Sequence, residues 1–358
     1  MTASAEADQP PPPATSGEIA AINLESARRR AWARFAQDPH RPGVAEEILD
    51  TERVVAQFVG DFDALDRLGG LASQFARVGD PSRAALVHAE VASTVHRFEE
   101  ARGHLARAAL MGGPRETIER HLLTIDQACG VSLDTVLAAR RRIATASGRL
   151  EDAVPLGAVL GDLERFEEAD AVYRLGFYSY DGISPFPLAW AAFQLGALWG
   201  ELVPVPDLKL AALWYGRAID YFPRYVRARV HLAEIYASQG QTGDAEELLL
   251  PVLSSGDPEV RWRLGDVLLA QGRRAEAEAQ LDAARFRFDE LLGRHLLAFA
   301  DHAAEFYAGS GSDCRRALRL ARANVANRPT RRAVVQAHEI AYIVDMAGGA
   351  NALRGTPA

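Results

Sequence analysis

The sequence predicts an all-α fold, and three observations carry that prediction. Apolar residues recur at three- and four-residue spacing along almost the whole chain, as in Leu264, Val267 and Leu268 with Leu281 and Ala284 beyond the next turn; this is the period of a helix buried along one face. Runs of alternating β-branched residues, the mark of a half-buried strand, are missing. Pro81, Pro114, Pro155, Pro223, Pro258 and Pro329 stand near expected helix starts or ends, and Gly79, Gly148, Gly240 and Gly272 mark turns. The segments between these marks are about 12 to 16 residues long with short connections, so the chain should run as antiparallel helical hairpins.

The elements repeat. Arg97-Phe98-Glu99-Glu100-Ala101 returns as Arg165-Phe166-Glu167-Glu168-Ala169, 68 residues later, or twice 34. Ala211, Ala245 and Ala277 follow at separations of 34 and 32, each with a large residue four positions on (Tyr215, Leu249, Leu281) and Ala218, Val252 or Ala284 seven positions on. Upstream, Leu232-Ala233 with Tyr236 and Leu264-Gly265 with Leu268 are again 32 apart. A small residue lets the two helices of a hairpin approach closely, and the large residue a turn later fills the gap.

This pattern resembles the tetratricopeptide repeat family. Its first-helix trio of large, small and aromatic residues is matched by Leu195-Gly196 with Trp199, by the two copies just named, and more weakly by Ala304 with Tyr307. Its second helix is matched by Ala211, Tyr215, Ala218 and Pro223, while the last copy keeps Ala317 and Pro329 but has Ala321 and Asn324 between them. Loops are longer than the family usually has at Val203 to Pro206 and around Ser310 to Asp313. The resemblance is clearest over 188–330 and degenerate over about 44–176, where Ala101, Leu105, Ala108 and Ala169, Tyr173, Gly176 survive. It implies a right-handed helical-hairpin solenoid of about eight to nine hairpins. Such an array stacks hydrophobic faces on neighbours and leaves a concave surface for partners.

The expected organisation is a disordered Pro-rich tail over 1–17 and a degenerate repeat array over 18–176. An aromatic and Pro-rich break then covers 177–187, the clearer array spans 188–330, and a capping helix with a tail occupies 331–358. The tail prediction rests on Pro10 to Pro13 among Ala, Ser and Thr, a composition that cannot build a core. The break holds Tyr178, Tyr180, Pro185 and Pro187, aromatics that either pack a loop or face a ligand.

Composition limits the function. The 358 residues are 48% hydrophobic and 25% charged with a net charge of -8, the balance of a globular protein without a phosphate-seeking surface. Arg28-Arg29-Arg30 and Arg140-Arg141-Arg142 lie in helices without interleaved aromatics, so no nucleic-acid partner is expected. Lys209 is the only lysine, which reads as a genome bias rather than chemistry. Two cysteines, Cys129 and Cys314, exclude a disulfide scaffold and suit a reducing, cytoplasmic setting. The longest apolar run, Leu188 to Leu198, contains Gln194 and is too short to span a bilayer. No leader pattern is evident.

Phosphate-binding Gly-rich loops, Gly-x-Ser-x-Gly and His-Glu-x-x-His are absent. Gly309-Ser310-Gly311-Ser312 reads as a repeat loop and Cys314 as a helix-start thiol. The constellation to weigh lies on aligned first helices: His231 with Glu234, Arg263 with Asp266, and His302 with Glu305 beside Asp301. Residues three apart share a helix face, and by the resemblance these offsets line the groove. Histidine and carboxylate at that spacing can ligate iron or manganese, but arginine is no metal ligand. A polar recognition surface and a self-neutralising ladder of ion pairs remain the other readings. Trp190, Phe193 and Trp262 fall at further groove offsets, with Gln194 and Arg227 alongside, whereas Trp199, Trp214, Tyr215 and Tyr236 fall where helices pack. The expected function is a non-catalytic adaptor without cofactor, gripping a protein or peptide partner. The alternatives are a metal-dependent maturation protein using His231, Glu234, His302 and Glu305, and a regulatory module acting through oligomerisation.

Overall fold

The computed structural model describes residues 11–354, and among them there is no strand. The first part of the chain forms α1 (Gly17–Gln37), α2 (Val44–Val54), α3 (Asp63–Val78), α4 (Pro81–Thr94), α5 (Phe98–Leu110) and α6 (Arg115–Ala128). Next come α7 (Leu133–Ser147), α8 (Leu150–Asp162), α9 (Phe166–Tyr178), α10 (Pro185–Ala197), α11 (Leu208–Tyr221) and α12 (Val226–Ser238). The last five are α13 (Thr242–Leu249), α14 (Pro258–Ala270), α15 (Arg274–Ala308), α16 (Cys314–Asn327) and α17 (Arg331–Arg354). Among the described residues the fold is all-α and built of antiparallel helical hairpins.

The local rules read from the sequence are visible in the helix ends. Asp80, Asp257 and Asp313 accept from backbone N–H groups of the first turns of α4, α14 and α16, supplying acceptors to donors that no helical carbonyl reaches. Pro81 and Pro258 sit in first turns, where proline costs no hydrogen bond. Pro155 departs from expectation, because it lies inside α8 rather than at its end. The hydrogen bond it forfeits is to a carbonyl of the first turn.

The small-large pairs behave as the spacing requires. A Cβ added to Gly196 would lie 2.6 Å from the Tyr215 ring, and one added to Gly265 would lie 2.7 Å from Leu281 Cδ2. Close approach of α10 to α11 and of α14 to α15 therefore depends on a missing side chain. The degenerate half has the same device, unrecognised in the sequence: Gly157 in α8 meets the Tyr173 ring of α9.

The left-handed residue two positions before a helix start is glycine in some hairpins and not in others. Before α13 and α14's partner α15, the left-handed turn residue is Gly240 or Gly272, each at φ 78°. Before α5 and α9 the same place is held by His96 (φ 58°) and Glu164 (φ 59°), where a Cβ makes the conformation costly.

Three helices, α1, α15 and α17, run longer than one repeat element, at 21, 35 and 24 residues. The 35 residues of α15 are two helices joined through His295, whose φ of -139° and ψ of 53° are not helical. Short π-helical segments follow α2 (Val55–Val59) and α10 (Leu198–Leu202).

The chain divides into two compact units, one of Met1–Glu25 with Leu133–Ile235 and another of Ser26–Ser132 with Tyr236–Ala358. In the first unit the fully buried side chains include Tyr173, Phe177, Trp214 and Tyr215. The expected tail falls partly outside the described residues, which begin at 11; from there the chain lies along this unit, with Thr15 N donating to Ile183 O and Tyr221 Oη to Pro12 O, both at 2.8 Å. In the second unit one core combines Ala64, Leu65 and Val95 with Trp262, Phe288, Leu291, Phe306 and Tyr307. Phe62 meets Phe299 edge-on at 4.9 Å, and Asn327 Nδ2 donates to His96 O at 2.9 Å. Contacts across more than 200 residues are not those of an array in which each repeat touches only its neighbours.

Candidate functional site

In the first unit, the first-helix residues named from the sequence gather around His231. Its Nδ1 donates to Glu201 Oε1 at 2.9 Å and faces Glu234 Oε2 at 3.4 Å. The Tyr215 ring stacks on the imidazole at 5.4 Å, and its hydroxyl donates to the same Glu201 oxygen at 2.8 Å. Burial disfavours the charged ring, but Glu201 and then Glu234 outweigh it and raise the His231 pKa to about 10. His231 is thus a fixed cation between two carboxylates. Such a ring would have to release a tightly held proton before ligating a metal.

Glu201 was not foreseen. It lies in the π-helical segment after α10, where one extra residue in the turn breaks the 3.6-residue register on which face assignments rest. Phe193 is buried rather than groove-facing: it packs on Tyr215, Tyr225 and His231 at 5.3–5.4 Å. Trp190, Gln194 and Arg227 are half-buried. Trp214 and Tyr215 are core, as their offsets imply, and Arg174 and Arg217 stand over the Trp214 ring at 5.0 and 4.7 Å.

In the second unit, α14 and the second half of α15 carry the remaining candidates. Trp262 is 4% exposed and packs edge-on to Phe306 at 5.5 Å, so its ring belongs to the core. Its indole Nε1 donates to Ser310 Oγ at 3.2 Å, and Ser310 donates on to Asp266 Oδ1 at 2.5 Å. Arg263 lies over the same indole at 3.6 Å and 4.0 Å from Asp266. The repeat loop therefore supplies a side chain, Ser310, that its Gly-Ser composition did not announce.

His302 pairs with Glu259 Oε1 at 2.8 Å rather than with Glu305. Asp301 takes Arg328, and its pKa falls to about 2 because His302, Arg328 and His96 together overcome its burial. Glu305 accepts from Gln336 Nε2 at 2.8 Å, and the same amide donates to Asp301 O at 3.2 Å. His231 and His302 are therefore tied to residues of earlier elements in their units, and Asp266, Asp301 and Glu305 to residues of later ones. Glu259 was masked in the sequence by its place after the helix-start Pro258.

A further buried ionic cluster escaped the sequence entirely. Glu52 of α2 has no exposed surface, and it accepts from Trp32 Nε1 at 2.7 Å and Arg67 Nε at 2.9 Å, with Arg28 at 3.4 Å. Arg28 thus serves an internal carboxylate, and Arg141 of the other triplet pairs with Glu168 at 2.8 Å. Cys129 is buried and Cys314 half-buried, both free. Among the described residues no group of three or more His, Cys, Asp or Glu side chains is arranged to hold a metal ion, and no helix is long and apolar enough to cross a membrane.

No protein-family model matches the chain, and no curated protein matches it in sequence. Solved structures similar to it include the apo form of the quorum sensor NprR from B. thuringiensis, at 10% identity and a TM-score of 0.47, covering 91% of this chain and 95% of that one. The APC/C hetero-tetramer Cut9-Hcn1 matches at 14% identity and a TM-score of 0.49, with 74% of this chain covering 50% of that one. A tetratricopeptide repeat protein from Parabacteroides merdae matches at 12% identity and a TM-score of 0.39, covering 74% of this chain and 93% of that one.

Proposed function

We propose that the chain is a non-catalytic scaffold that binds a protein or peptide partner along the first helices of its repeats. The observation that carries this reading is the fixed polar lining of those helices. Arg227, His231 and Glu234 in one unit, and Arg263, Asp266, His302 and Glu305 in the other, are half-buried, and most are held by hydrogen bonds or ion pairs to a neighbouring element. Side chains already ordered in the free protein lose little entropy on binding, and that favours recognition of a partner over a merely solvated face. In the first unit Trp190 is half-buried and suited to an anchor, with Phe193 supporting that unit's first helices from beneath, as Trp262 does in the other unit.

The test is affinity capture from the native host with the wild-type chain and with a Trp190→Ala, Arg227→Glu double variant. A partner identified with the wild type should then be measured in purified form. The reading expects its affinity to fall at least about tenfold in the variant, as for loss of an interface anchor. A partner bound equally by both proteins would overturn the assignment of this face, and the absence of any partner would overturn the scaffold reading itself.

A further inference from the structure

Ahead of α1 the chain carries four consecutive prolines, Pro10 to Pro13, and over residues 11–16 it lies outside any helix. Proline fixes φ near about -65° and has no N–H. Such a segment is extended, has no internal hydrogen bonds and offers its surroundings carbonyl acceptors. In the first unit it meets a receiving surface. The Tyr221 hydroxyl at the end of α11 donates to Pro12 O at 2.8 Å, and Ile183 O, in the loop before α10, accepts from Thr15 N at 2.8 Å. Where the segment enters α1, Gly17 leaves no room for a side chain, since a Cβ would stand 2.4 Å from Tyr221 O and 2.6 Å from Pro223 Cδ.

Tyr221 is one of a group of rings. It packs edge-on to Phe177 at 5.8 Å, Phe177 meets Tyr178 at 5.1 Å, and Tyr178 Oη accepts from Arg217 at 2.8 Å. Burial raises the Tyr221 phenol to about 12, so near neutral pH it keeps the proton it donates. Aromatic surfaces are what receive proline-rich strands, whose shape is set before binding, and the tyrosine hydroxyl adds the donor that the prolines lack. The seated segment itself adds little to the core: Pro11, Pro13 and Ser16 are exposed, and Pro12, Ala14 and Thr15 are half-buried. It lies on the unit as a ligand on a tether would.

We propose that Tyr221, Tyr178 and the loop at Ile183 form a docking site for a proline-rich strand, which residues 11–16 occupy as a tethered ligand and which a proline-rich segment of a partner enters by displacing them. The residues of this site are not those of the first-helix face in the proposed function, so either can fail without the other.

The experiment is fluorescence anisotropy with a labelled synthetic peptide of residues 8–16. It is titrated with the full chain and with the full chain carrying Pro11→Gly, Pro12→Gly and Pro13→Gly, which loosens the tethered strand. A tethered ligand competes at an effective concentration that reaches the millimolar range, so the peptide should bind the triple variant at least about tenfold more tightly than the wild type. Adding Tyr221→Phe to the triple variant should weaken binding roughly three- to tenfold, as for one lost hydrogen bond. Equal affinity for the wild type and the triple variant would overturn the proposal, as would no binding to the triple variant or no effect of Tyr221→Phe. A triple variant that melts several degrees below the wild type would overturn it too, because the segment would then be part of the fold rather than a ligand.

Discussion

His231 in one unit and His295 in the other each place a ring nitrogen 2.9 Å from a carboxylate oxygen, of Glu201 and Asp66 respectively, yet their pKa values move in opposite directions. Around His231 two carboxylates outweigh burial, and the value rises to about 10. At His295 burial dominates; the attraction of Asp66 is offset by Arg294 and Arg97, and the value falls. Arg294 also pairs with Asp66 directly. The net charge around a ring, rather than its nearest bond, decides whether it is a cation.

The most severe way to break this comparison is to remove each ring. His231→Ala leaves Glu201 and Glu234 facing one another with their cation gone, and should cost about 3–5 kcal/mol. His295→Ala leaves Asp66 with Arg294 and should cost about 1 kcal/mol. Urea unfolding of the two variants measures the difference, and equal losses would break the account.

The packing around the two sites gives a smaller contrast. Gly196→Ala drives a methyl group into the Tyr215 ring that stacks on His231, and overpacking of this kind costs about 1–3 kcal/mol. Gly265→Ala meets Leu281 Cγ and Cδ2 at 2.7 Å and Ala277 O at 3.3 Å; an aliphatic side chain gives way more easily than a buried ring, so its cost should be the smaller of the two. Thermal denaturation of both variants orders them.

The smallest effect concerns turns. Glu164→Gly relieves a left-handed conformation that a side chain resists, and should stabilise the chain by about 0.5–1 kcal/mol. A loss of stability would mean that contacts of the Glu164 side chain matter more than its backbone.

These contrasts also show what was legible in the sequence. Gly196 with Tyr215 and Gly265 with Leu281 were readable because a small residue and a large one at fixed separation can satisfy close helix packing in few ways. Gly157 with Tyr173 was readable in principle, since Gly157 stands twelve residues before Ala169, as Gly265 does before Ala277. His96 and Glu164 hid their turns by standing where the turns at Gly148, Gly240 and Gly272 have glycine. Trp262 was placed on the correct helix but on the wrong side of the boundary between wall and core, because its offset lies at that boundary and only packing on Phe288 and Phe306 decides it. Glu201 was hidden by a π-helical turn. The pairing of Asp66 with His295, or of His96 with Asn327, leaves no trace in a 34-residue period, which encodes contacts between neighbouring repeats alone.

The sign of the His231 shift carries a stability prediction. A ring that holds its proton more tightly when folded contributes fully below its unfolded value of about 6.5, and that contribution is lost as pH rises through about 10. His295, shifted down, contributes above about 6.5 and loses its contribution as pH falls through its lower folded value. The direct test is an NMR titration of the histidine ring protons in the folded chain. The account predicts a His231 resonance that stays in its protonated position through pH of about 9, more than two units beyond the unperturbed imidazole value of about 6.5, while His295 titrates below its usual range. A His231 that titrates near 6.5 would contradict the claim that Glu201 and Glu234 hold a permanent cation on the first-helix face.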